Sequence, residues 1–168
     1  MSAAKVLLYF IRHDLRVSDN PILHHIATHQ DEFTHLLPVF VFHARQIEIS
    51  GLIQDGSKSP FPEAKSRVGG FWRCGPHRTK FVAEAVWNMK ESLEAIGSGL
   101  LIRAGQPSEV ARGLIEGLAK AGLKVGAVWM IGEEGTEEKS DEKDVAAVCV
   151  KLGADFTLWQ DEKYFVDE

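Results

Sequence analysis

The chain has 168 residues, enough for one domain with a core enclosed between two layers. At 45% hydrophobic and 26% charged residues it has a globular balance, and a net charge of −5 argues against a surface that attracts nucleic acid as a whole. That leaves room only for a local basic patch. Two cysteines, Cys74 and Cys149, exclude a disulfide framework and point to a reducing interior. No apolar run reaches bilayer length, and the N-terminal one is short and cut by Arg12, unlike a secretory leader. A cytoplasmic or nuclear location without a membrane is expected.

In chain order, Val6–Ile11 is short, apolar and partly β-branched, as a buried central strand would be. Asn20 and Pro21 then supply a helix cap and a first helical residue whose missing N–H costs nothing. Ile22, Leu23, Ile26 and Ala27 share a face of that helix until the polar residues 29–32. Leu36–His43 is a second strand, with Pro38 suited to its start or to an edge. Residues 44–76 are broken by Gly51, Gly56, Pro60, Pro62, Gly69, Gly70, Gly75 and Pro76, with short helical pieces expected near Pro62–Val68. Phe61, Phe71 and Trp72 are expected to anchor this connection to the body, the alternative being an exposed apolar patch where a neighbouring domain is absent.

Beyond Pro76 the rhythm is regular. Phe81, Val82, Ala85, Val86, Met89, Leu93 and Ile96 follow helical spacing up to Gly97. Leu100–Arg103 is a strand, and Pro107 opens a helix buried through Val110, Ala111, Leu114, Ile115 and Leu118. Val125–Ile131 is the fourth strand. The acidic residues at 133–144 begin a helix with Val145, Val148, Cys149 and Leu152 inward, and Ala154–Leu158 is the fifth strand. The four tryptophans are expected mostly in the core or half-buried.

Alternating strands and helices imply an α/β fold: a Rossmann-like three-layer α/β/α domain with a five-stranded parallel sheet, order 3-2-1-4-5. Ligands of such sheets sit beyond the carboxyl ends of the strands at the switch point. That edge gathers Arg12, His13, Asp14, His43, residues 103–106 and residues 132–136. Dinucleotide, phosphate-loop and H-E-x-x-H motifs are absent, and the seven histidines and two cysteines are spread along the chain, which leaves a zinc site only to tertiary coincidence, so no metal site is expected. Arg12, Asp14 and Arg16 read either as an ion-pair network fixing a loop or as part of a ligand edge. Glu133, Glu134, Glu137 and Glu138 read either as solvated caps favoured by the helix dipole or as carboxylates for the N–H groups of a heterocycle.

Several segments carry a resemblance in conserved order. FIRHDLRVSDNPIL at 10–23 resembles the opening of the photolyase/cryptochrome family, and LPVFVFHARQ at 37–46 resembles its next strand and exit. Residues 75–110 and the acidic segment 132–145 are similar to the DASH branch. The resemblance implies the family's N-terminal α/β domain, which in complete members packs on an all-helical domain that binds FAD and damaged DNA. The chain closes at KYFVDE, roughly where that α/β domain ends in the family, so neither FAD, autonomous DNA binding nor autonomous light-driven repair is expected of it alone.

The resemblance also implies a reduced-folate antenna (methenyltetrahydrofolate) in a cleft shared by the two domains. Glu133 is the best match to the folate-contacting carboxylate, with Glu134 next. Arg12, His13, Asp14, His43 and Arg45 line the same region. His13, His43-Ala44 and Glu134-Gly135-Thr136 depart from the family pattern. Three functions follow. The first is a stand-alone binding or regulatory domain, with a homodimer or a partner protein on the face the helical domain would cover. The second is a segment of a full-length, FAD-dependent cryptochrome DASH or DNA photolyase, and the third a small folate- or nucleotide-binding protein.

Overall fold

The computed structural model describes residues 4–29, 32–48 and 57–161. The expected breaks at Gly51 and Gly56 and the closing KYFVDE lie outside them. Five parallel strands, β1 (Lys5–Ile11), β2 (His35–His43), β3 (Leu101–Gly105), β4 (Lys124–Ile131) and β5 (Asp155–Trp159), form one sheet in the order β3-β2-β1-β4-β5. Helices α1 (Pro21–Thr28), α2 (Pro76–Ala95), α3 (Pro107–Lys120) and α4 (Thr136–Leu152) connect the strands. The three-layer architecture and the strand order are those expected from the sequence.

Strand alternation divides the core. Leu7, Tyr9, Ile11, Phe40, Phe42 and Trp129 face α1 and α2, where Ile22, Val86, Met89 and Leu93 are buried. Val6, Leu8, Phe10, Val39, Val128 and Met130 face α3 and α4, against Ala111, Ile115, Val145, Val148 and Cys149. In β4 the alternation slips once: Val6 pairs with Val125 and Leu7 with Ala127, so Gly126 is the extra residue of a bulge. Pro38 lies opposite Tyr9, just before the β3 ladder starts at Val39, so its missing N–H disrupts no β2–β3 pair. Helix α1 starts as the sequence suggests, with Asn20 Oδ1 accepting from the Leu23 N–H at 3.0 Å.

Three local expectations change. The described part of residues 44–75 holds no helix near 62–68; an antiparallel bridge, Lys65 to Trp72, closes a turn there. The cause is Ser66, whose hydroxyl accepts from the Val68 and Gly69 N–H groups, followed by Gly70 at φ +66°. Phe61 does anchor to the first core, whereas Phe71 (65% exposed) and Trp72 face solvent. Trp129 is buried and Trp159 half-buried, but Trp87 and Trp72 are exposed; Phe81 and Ile96, expected in the α2 stripe, are also exposed, Ile96 because it is already the C-cap.

β3 runs two residues further than expected, to Gly105, whose φ of +139° suits glycine. A Cβ there would also meet the Phe61 ring at 3.4 Å. Gly105→Ala is therefore expected to cost about 1–3 kcal/mol, read as a lower urea midpoint.

Cys149 is buried in the second core, and desolvation pushes its thiol up to about 11 from an ordinary 9.0. Burial, with Asp14 beside it, raises the Tyr9 phenol as well. Both groups are neutral when folded and ionise more readily when unfolded. Their contribution is thus complete below the unfolded values and is lost as pH rises through them toward the folded ones, the cysteine window being about 9 to 11. Native protein at pH 8 is expected to expose one thiol, Cys74, to Ellman's reagent and two after denaturation; two fast native thiols would contradict this.

Candidate functional site

The chain reverses direction across the sheet between β1 and β4, and the carboxyl ends of β1, β2 and β4 open there. A cavity of about 460 Å³ lies at that edge, a volume suited to one small organic ligand. Phe10, Ile11, Phe40, Val41 and Met130 form its apolar floor, and the beginnings of α2, α3 and α4 approach it through Arg78, Pro107 and Glu137.

Charged pairs surround the floor. Arg12 leaves β1 and its Nη2 donates to Glu142 Oε1 at 2.5 Å and to the Ile131 carbonyl. The two side chains are only 14% and 8% exposed, so this is a buried ion pair. Glu142 Oε1 also accepts the Glu133 N–H at 2.9 Å, which ties the β4 exit to α4. Arg12 Nε and Nη1 are buried with no partner among the described residues. At the end of β2, His43 Nδ1 accepts the Arg45 N–H at 3.1 Å, so its Nε2 carries the proton and donates to Asp141 Oδ2 at 2.6 Å. Gln46 Nε2 donates to Glu138 at 3.2 Å and Arg73 to Glu137, so the connection after β2 is held to α4 at two points.

The residues expected at the site divide accordingly. Arg12, His13 and His43 line the cavity. Asp14 does not: it is buried, accepting from the Tyr9 hydroxyl and, at 2.9 Å, from the Arg12 N–H, while Asn20 donates to the Tyr9 oxygen at 2.7 Å. Arg45 contributes its backbone N–H to His43 and is exposed. Glu133 lies outside the cavity lining, with Oε1 3.1 Å from His13 Nδ1, and Glu134 is an exposed partner of Lys139 at 2.7 Å. The Glu134 carboxylate raises the Lys139 ammonium.

Sequence reasoning missed Asp141, Glu142, Gln46 and Arg73. A signal for the two acids existed. Asp141 and Glu142 stand four and three residues before Val145, so they continue the buried stripe of α4 by one turn. Buried acids on such a stripe require cationic or N–H partners, and the strand ends supply Arg12 and His43.

A doubly wound α/β domain with a charged, apolar-floored cleft at its switch point is a ligand-holding class of domain. Within that class the chain belongs to the DNA photolyase family, whose profile matches residues 7–166. It is 53% identical over its whole length to the putative mitochondrial cryptochrome DASH of Neurospora crassa and 51% identical to the putative cryptochrome DASH of Gibberella zeae. It covers 23% and 24% of those proteins. The Xenopus laevis cryptochrome DASH is 32% identical over 96% of the chain, which covers 27% of that protein. Among solved structures, the Synechocystis cryptochrome superposes with a TM-score of 0.75 at 22% identity, over 95% of this chain and 28% of that one, which shows the shared fold. The chain is thus an α/β domain of the family's DASH branch and spans about a quarter of the relatives it matches.

Proposed function

We propose that this chain is the α/β domain of a longer cryptochrome DASH-type protein and holds an antenna chromophore of the reduced-folate class beside Glu133. The carrying observation is identity above 50% along the entire chain to proteins of which it covers under a quarter. This supports the reading as part of a full-length, FAD-dependent photoreceptor or photolyase over that of a stand-alone regulatory unit. Flavin binding and DNA repair then belong to the whole protein.

The residues fit such a ligand in part. Glu133 has its backbone N–H fixed by Glu142 and its carboxylate oriented by His13, ready to accept from a pterin amide and amine. The apolar floor suits a flat ring, and Arg12 Nε and Nη1, without a partner among the described residues, mark local polar capacity. An archaeal photolyase from Sulfolobus tokodaii, solved with two FAD molecules and implicating a novel light-harvesting cofactor, superposes with a TM-score of 0.65 at 21% identity. For compartment, the Neurospora relative adds the mitochondrion to the cytoplasm and nucleus expected from the sequence.

Titrating the chain with methenyltetrahydrofolate tests the ligand. Saturable binding with a red-shifted absorption band, weakened about tenfold or more by Glu133→Gln, is expected from loss of a charged hydrogen-bond acceptor. Binding indifferent to Glu133→Gln would overturn the assignment.

A further inference from the structure

On the side of the sheet covered by α1, a histidine pair stands apart from the cleft. His25 and His29 are one helical turn apart, joined by the His29 N–H to His25 carbonyl bond at 2.9 Å. Their rings stack with centroids 4.1 Å apart and planes 12° from parallel. His29 Nδ1 lies 3.1 Å from the His25 carbonyl and 2.9 Å from Thr28 Oγ1. A carbonyl can only accept, so Nδ1 holds the proton and donates, and the Nε2 lone pair is left available. Metal-binding imidazoles have this arrangement, with one ring nitrogen donating to a carbonyl and the other free for the ion. Glu32 adds a carboxylate 3.7 Å from His25 Nε2. His25 is half-buried and His29 exposed, so an ion reaches the pair from solvent.

We infer that His25 and His29 form a two-nitrogen chelate for a borderline divalent transition ion, with water completing the coordination. Among the described residues no group of three or more His, Cys, Asp or Glu side chains is arranged to hold a metal, so the inferred site is a two-imidazole one. His29 keeps its carbonyl bond, and rotation of His25 about χ2 brings its Nε2 toward that of His29, where imidazole–metal bonds of about 2.0–2.1 Å form. Imidazole nitrogen favours copper, nickel and zinc over magnesium or calcium, with copper(II) first among them.

The fold supplies a reporter. The His25 ring lies 4.8 Å from Trp159 and 5.5 Å from Trp129, centroid to centroid, and copper(II) quenches indole emission at such distances. Titration of the full chain with copper(II) chloride should quench emission saturably, with one ion per chain by calorimetry and full reversal by EDTA. His29→Gln, at an exposed position, should weaken binding at least about tenfold, as should His25→Gln. His35→Gln, whose Nδ1 engages Thr34, should leave it unchanged. Non-saturating quenching, or unchanged affinity in His29→Gln, would overturn the inference.

Discussion

Replacing Glu142 with alanine is expected to destabilise the domain by about 3–5 kcal/mol. The Arg12 guanidinium is mostly buried, and its Nη2 has Glu142 and one carbonyl as partners while Nε and Nη1 have none among the described residues. Removing the carboxylate leaves a buried cation uncompensated and strips the Glu133 N–H of its acceptor. Urea unfolding would show a lower midpoint with an unchanged slope. The double variant Arg12→Met/Glu142→Leu should recover most of the loss, because replacing a whole buried pair by apolar groups is far less costly than breaking it. A midpoint in Glu142→Ala within experimental error of wild type would contradict this reading of the pair.

Asp14→Ala comes second, at about 3 kcal/mol. It removes the acceptor of two donors at once, the buried Tyr9 hydroxyl and the Arg12 N–H, and a buried donor left unsatisfied costs about 1–3 kcal/mol. Asn20 is joined to the same cluster, because its Nδ2 donates to Tyr9 while its Oδ1 caps α1. The hydroxyl is orphaned only while it is present, so Tyr9→Phe should soften the cost of Asp14→Ala. A double-mutant cycle should therefore give a coupling between these neighbours of about 0.5–3 kcal/mol. Strict additivity would mean that the hydrogen bond contributes little.

These two clusters separate what the sequence showed from what it concealed. The strands were legible because Val6–Ile11 and Val125–Ile131 are short apolar runs between helical stretches, and the Asn20-Pro21 start of α1 is written in residue chemistry. Asp14 was visible as a charged residue at a strand end, but its direction was not. Its burial depends on Tyr9, five residues earlier, pointing to the α1 side of the sheet, and on Asn20 closing over both.

Asp141 and Glu142 were hidden for a different reason. They lie in an acidic segment that reads as solvated, and only the pairing of β1 with β4 brings Arg12 across to meet Glu142. The turn at residues 65–72 was not legible because the Ser66 side-chain bonds and Gly70 outcompete a helical piece near Pro62–Val68. Phe81 followed the helical period yet lies at the cavity rim, 70% exposed, a position that periodicity alone does not separate from the core.

The central claim, that this domain works within a longer cryptochrome DASH-type protein, is tested most directly by the natural polypeptide. Intact-mass measurement of the protein captured from its host with an antibody to this domain, with an absorption spectrum of the same sample, decides it. The expected result is a polypeptide several times longer than 168 residues that carries flavin absorption. A host protein of 18.6 kDa, with no longer form and no flavin, would contradict the claim.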